Sequence, residues 1–130
     1  HGKYLQMLSK TEAAEAVAYA ACVVACQIGA AAIVATSRSG FTALQIARFK
    51  PEQALLALSP EAATARRLAL CWGCTPRTIT EDQDTDQRLE TAAEAAIASG
   101  VARKGDWVVI TAGYPVWTSG TTNMLKVWQL

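Results

Sequence analysis

At 130 residues, with 52% apolar side chains and a net charge of +1, the chain can bury one core but cannot hold a (β/α)8 barrel, which needs about 250 residues. Twelve basic residues against eleven acidic ones leave no electrostatic footprint for duplex nucleic acid or an anionic membrane. No run of about 18 uninterrupted apolar residues occurs, so no membrane-spanning helix is expected.

The chain begins at His1 with no signal-peptide layout, and residues 1–10 are read as a leader or remnant ahead of one domain over 11–130. Ser9 and Glu12 have capping-box spacing, which predicts a helix from about Thr11 to Gln27, stopped by Gly29. Val17, Val24 and Ile28 form one apolar stripe on it, and Tyr19, Cys22 and Cys26 a second. A helix apolar on two sides expects cover on both, from its own sheet and from a neighbour.

Ala31 to Thr36 is a short apolar run of the kind buried parallel strands use. A loop at Ser37 to Gly40 leads to a helix over Phe41 to Phe49, closed by Lys50-Pro51 because a residue before proline is pushed out of the helical region. Gln53 to Leu58 reads as the second strand. Ser59-Pro60 reads as the cap and first position of a helix running to about Trp72, with Gly73 as terminator. Cys74 to Thr80 is a weaker strand, placed near an edge by Pro76. Asp84 caps a helix that ends at Ser99-Gly100. Trp107 to Thr111 and Thr122 to Trp128 are the last strands, joined without a helix and so antiparallel. The expected fold is α/β: an open, mostly parallel five-stranded sheet with helices on both faces and the last strand antiparallel.

The loop Thr36-Ser37-Arg38-Ser39-Gly40-Phe41-Thr42 joins a strand's carboxyl end to a helix start. Ligands of open α/β sheets bind at that edge, and helix-start amides favour a phosphate. Gly40 permits a tight backbone, Ser37, Ser39 and Thr42 carry hydroxyls, and Arg38 supplies a forked cation. In isolation, such a loop is more often plain connection and capping. Arg88, read alone, is a solvated arginine pairing with Asp84.

The cysteines invite a metal reading, since Cys71 and Cys74 have C-x2-C spacing and Cys22 and Cys26 lie one helical turn apart. One pair sits within a helix and the other spans a helix end and a strand start, so small buried thiols are the better reading and no metal is expected. A thioredoxin-type motif is disfavoured, because there the first cysteine opens a helix. Four cysteines without a secretory signal suggest reduced thiols in a cytoplasmic protein. The acidic stretch Glu81 to Asp86 reads as a solvated loop. The only histidine is His1, which excludes a His-dependent triad, and no dinucleotide or P-loop signature occurs.

Several segments together resemble one family. Lys104-Gly105-Asp106-Trp107-Val108-Val109-Ile110-Thr111-Ala112-Gly113-Tyr114-Pro115, Ser119-Gly120-Thr121-Thr122-Asn123-Met124-Leu125-Lys126-Val127, Arg66-Arg67-Leu68-Ala69-Leu70-Cys71-Trp72-Gly73 and Thr36-Ser37-Arg38-Ser39-Gly40-Phe41-Thr42-Ala43 closely resemble the C-terminal regulatory and assembly domain of bacterial-type pyruvate kinases. The resemblance covers about residues 11–130 and leaves the catalytic barrel out.

It implies that the Thr36–Thr42 loop grips a phosphate of an allosteric effector and that Arg88 meets a second phosphate. The loop Tyr114 to Gly120, with Ser119 and Gly120 as amide donors and Tyr114 or Trp117 against a sugar or base, would border the same site or be a plain connection. An aromatic that accompanies Arg88 in fructose 1,6-bisphosphate-regulated relatives has no counterpart here, because Glu81 falls at about that place. A sugar phosphate or a nucleoside monophosphate such as AMP therefore stays open as effector. The resemblance also implies self-association through the last strand and no cofactor in this domain, with Mg2+ and K+ belonging to the intact enzyme's barrel. The alternatives are a free-standing phosphometabolite-binding module and a purely structural assembly domain.

Overall fold

The computed structural model describes residues 10–71, 73–80, 84–113 and 122–130. Five strands form one sheet: β1 (Ala32–Thr36), β2 (Ala54–Ser59), β3 (Cys74–Thr78), β4 (Trp107–Gly113) and β5 (Thr122–Gln129), in the order β3-β2-β1-β4-β5. The first four are mutually parallel, and β5 runs antiparallel to β4. Four helices are described: α1 (Lys10–Ile28), α2 (Phe41–Arg48), α3 (Ala62–Leu68) and α4 (Thr85–Ala98). The expected fold class is the observed one.

The alternation of side chains along the strands explains the two cores. Ile33, Ala35, Leu55, Ala57 and Val109 face α1, α2 and α3. Val34, Leu56, Leu58, Val108 and Ile110 face α4 on the other side. Both faces of the central strands are thus covered, which is why all five residues of β1 are buried and apolar up to Thr36. The edge position of β3 also fits its sequence, since Pro76 cannot supply a ladder donor.

Three sequence expectations need correction. The face of α1 that meets the sheet is Ala14, Ala18, Ala21 and Ala25, each fully buried, at the helical spacing of four, three and four. Neither stripe of larger residues takes that role: Tyr19 is 57% exposed and Ile28 37%. Small side chains let the helix axis approach the sheet closely, while Cys22 and Val24 pack at the margin of the core and Tyr19 and Ile28 are turned outward. Next, Ser59 is the last residue of β2 rather than a helix cap; the cap position of α3 is Glu61, and the helix stops at Leu68, well short of residue 72. Finally, Cys26 is exposed, and Cys22, Cys71 and Cys74 are only partly covered, so these are not core thiols. The capping role expected of Ser9 lies outside the described residues. Asp84 does cap α4, its carboxylate accepting from the Gln87 amide at 2.8 Å.

Chain direction places the helix starts. From β1 the chain crosses through α2 to β2 and through α3 to β3, moving one way along the sheet; α4 then returns across the opposite face to β4. The order reverses between β1 and β4, and that is where open α/β sheets form a crevice at the strands' carboxyl ends.

Candidate functional site

Six polar or charged side chains are buried among the described residues: Thr36, Thr42, Ser59, Thr64, Arg88 and Thr111. Thr36 and Ser59 end β1 and β2, Thr42, Thr64 and Arg88 lie in the first turns of α2, α3 and α4, and Thr111 lies in the second half of β4. All six therefore belong to the carboxyl end of the parallel sheet. Burying polar groups is unfavourable unless they are hydrogen-bonded, so their concentration at one edge marks it as different from the rest of the core.

The Thr36 hydroxyl donates to the Thr111 carbonyl at 2.9 Å, tying β1 to β4 at the reversal of strand order. Thr36 thus acts as a clasp between strands. From Ser37 the chain enters a loop whose polar groups are matched internally. The Ser37 amide donates to the Leu58 carbonyl at 3.1 Å. The Ser37 hydroxyl oxygen accepts from the Gly40 amide at 2.8 Å, and the Ser39 hydroxyl oxygen accepts from the Phe41 amide at 3.4 Å. Gly40 sits at the cap position of α2 with φ 81°, a left-handed conformation that costs side-chain-bearing residues about 1–2 kcal/mol.

Residues that sequence reasoning did not connect with this loop hold it from the end of β2 and from α3. The hydroxyls of Ser59 and Thr64 both donate to the Arg38 carbonyl, at 3.0 and 2.8 Å. Arg67 donates to the Ser39 carbonyl at 3.4 Å and to the Thr64 hydroxyl at 3.1 Å. The Arg38 guanidinium forms an ion pair with Glu61 at the start of α3, with both side chains partly exposed. A pair in that setting is weak, because solvent screens it and two long side chains must be ordered. The position of Ser59 at the end of a neighbouring strand was a usable signal for this second loop-holding shell. Thr64, Arg67 and Glu61 had none, since they reach the loop across 23 to 28 residues of chain.

Arg88 departs from the reading made of it in isolation. It is only 1% exposed, one turn into α4 and opening with its amide bonded to the Asp84 carbonyl at 3.2 Å. A guanidinium with this burial is not a solvated surface charge. Asp84 is engaged as the helix cap instead of as its solvated partner. Thr42 is also buried. Of the remaining expected site residues, Tyr114, Ser119 and Gly120 lie outside the described residues.

Comparison with known proteins decides the family. A family model described as "Pyruvate kinase, alpha/beta domain" matches residues 15–128. This chain belongs to that family. It is 38% identical to a pyruvate kinase of Geobacillus stearothermophilus over 119 residues, 92% of this chain and 20% of the relative. It is also 35% identical to a pyruvate kinase of Clostridium acetobutylicum over 118 residues, 91% of this chain and 25% of that one. A pyruvate kinase of Agrobacterium vitis is 41% identical over 114 residues, 88% of this chain and 24% of the relative. The chain thus spans a quarter or less of the length of these curated relatives, and the part it matches is C-terminal. Within the pyruvate kinase α/β domain, the Thr36–Thr42 loop and the start of α4 share the carboxyl edge of the sheet. No helix among the described residues is long and apolar enough to cross a membrane.

Proposed function

We propose that this domain is the regulatory and assembly part of a pyruvate kinase, binding a phosphorylated effector at the loop Thr36–Thr42. The intact enzyme would work in the cytoplasm, in glycolysis, moving a phosphoryl group from phosphoenolpyruvate to ADP with Mg2+ and K+ held in its barrel. The observation carrying the binding role is how the loop meets its own needs. Gly40 and Phe41 amides bond to the serine hydroxyl oxygens of Ser37 and Ser39, and the Arg38 guanidinium bonds to the Glu61 carboxylate. Each of these acceptors is an oxygen that a phosphate oxygen can replace, and the carboxylate pair is the weak, exposed kind. Arg88 brings a second, buried cation to the same edge. An effector held better in one arrangement of the assembly shifts its population toward that arrangement.

Thermal-shift titration with AMP, ribose 5-phosphate, fructose 1,6-bisphosphate and inorganic phosphate tests this reading. Ligand at 100 times its dissociation constant adds about 2.7 kcal/mol of stability. Arg38→Ala weakens binding tenfold or more, since a charge-assisted hydrogen bond contributes about 1.5–3 kcal/mol. No saturable response to any of the four leaves the purely structural reading, which the internally matched loop also supports.

The assembly role rests on β5, an edge strand on which Val127 is 36% exposed, beside Trp107 on β4 at 41%. Unpaired edge groups with apolar side chains beside them favour pairing with a second copy, and a two-fold pairing leaves no free edge. Sedimentation over a concentration series is expected to show a dimer or larger species, shifted toward monomer by Val127→Asp. A strictly monomeric chain at high micromolar concentration would exclude the strand as a self-sufficient interface.

A further inference from the structure

The turn between α3 and β3 carries a second feature, unrelated to the phosphate site. Cys71 follows the end of α3, its amide bonded to the Leu68 carbonyl at 2.9 Å. The Cys74 amide closes back on the Cys71 carbonyl at 3.4 Å. Gly73 at the third place of this four-residue turn takes φ 81°, a value that glycine adopts at that place in type II turns. Closure of this kind brings the two α-carbons within about 7 Å, and disulfides span about 4.4–6.8 Å between α-carbons. The two thiols are also near enough to affect one another, since Cys71 is among the causes that raise the Cys74 thiol. Both residues are partly exposed, so small molecules reach them.

We propose that Cys71 and Cys74 are a redox-active dithiol that closes to an intramolecular disulfide when it meets a low-molecular-weight disulfide. Burial first, and then the neighbouring Cys71 thiol, pushes the Cys74 thiol up to about 12. Exchange therefore starts at Cys71. Its thiolate attacks one sulfur of the small disulfide, forming a mixed disulfide and expelling one small thiolate. Cys74 then gives up its proton and attacks the Cys71 sulfur, which breaks the mixed bond and expels the second small thiol. Two protein thiols are oxidised and one small disulfide is reduced to two thiols, so electrons and protons balance. Because Cys71 follows a helix instead of opening one, no helix start stabilises its thiolate, and the pair is a recipient of oxidising equivalents more than a catalyst of exchange. Its closure would fix the end of α3, the helix whose Thr64 and Arg67 hold Arg38 and Ser39.

The test uses the full chain, incubated with oxidised glutathione, alkylated with iodoacetamide, digested and weighed. Of the four thiols, only those of Cys22 and Cys26 are then alkylated or glutathionylated, while the peptide joining Cys71 to Cys74 is lighter by two hydrogens until dithiothreitol restores it. In Cys74→Ser, glutathione stays attached to Cys71. Alkylation of both Cys71 and Cys74 after an exposure that modifies Cys26 would overturn the proposal, as would a disulfide from either to Cys22 or to a second chain. The wild-type measurement stands alone should the variant fail to fold, and neither result depends on whether the domain binds phosphate.

Discussion

Gly40→Ala lowers the unfolding free energy by about 2–5 kcal/mol, the sum of a left-handed backbone and a crowded methyl group. The residue has φ 81°, and a Cβ there would lie 3.1 Å from a Leu68 methyl and 3.1 Å from the Thr64 methyl. Those atoms belong to a buried helix face, with Leu68 at 4% and Thr64 at 3% exposure, so they have little room to move. Gly29→Ala is the matched comparison: its φ is 66° with nothing within 4 Å, and its cost is the backbone alone, about 1–2 kcal/mol. Urea unfolding of the two variants separates crowding from strain. Equal losses would mean that α3 gives way and that the contact with the loop is soft.

Ala21→Leu is expected to destabilise by about 1–3 kcal/mol, because three extra carbons must enter a closed helix-sheet contact. Ala21 has no exposed surface and packs in the core of the α1 face with Ile33, Ala35 and Val109. Val23→Ala, at a position 36% exposed, costs less than about 1 kcal/mol. An inverse ranking in thermal unfolding would place the apolar bulk of α1 against the sheet.

That contrast also shows what was legible beforehand. The strands were readable, because a parallel strand covered on both sides must be continuously apolar, as β1 is up to Thr36 and β2 up to Ser59. The buried face of α1 was not, since pattern reading gives weight to large side chains and this contact selects small ones. The position of the loop at Thr36–Thr42, between the end of β1 and the start of α2, was readable from the strand and helix signals on either side of it. Its supports on α3 were invisible, because nothing local to Glu61, Thr64 or Arg67 signals a contact with another loop. Arg88 was misjudged in isolation for a related reason: a charged residue next to an acidic stretch reads as solvated, and only the packing of α4 across the sheet buries it.

The Thr36–Thr111 clasp has a kinetic side. Residues 32–78 form their sheet contacts through crossovers between consecutive strands, and 107–129 pair as neighbours along the chain. The two blocks meet along a single seam, β1 against β4, where the clasp joins residues 75 apart in sequence. Closing so long a loop costs chain entropy that no local contact repays in advance, so the seam is expected to form after the blocks on either side. Refolding followed by hydrogen-exchange protection of the β1–β4 amides should therefore lag refolding followed by helical signal, and loosening the clasp with Thr36→Val should widen the lag.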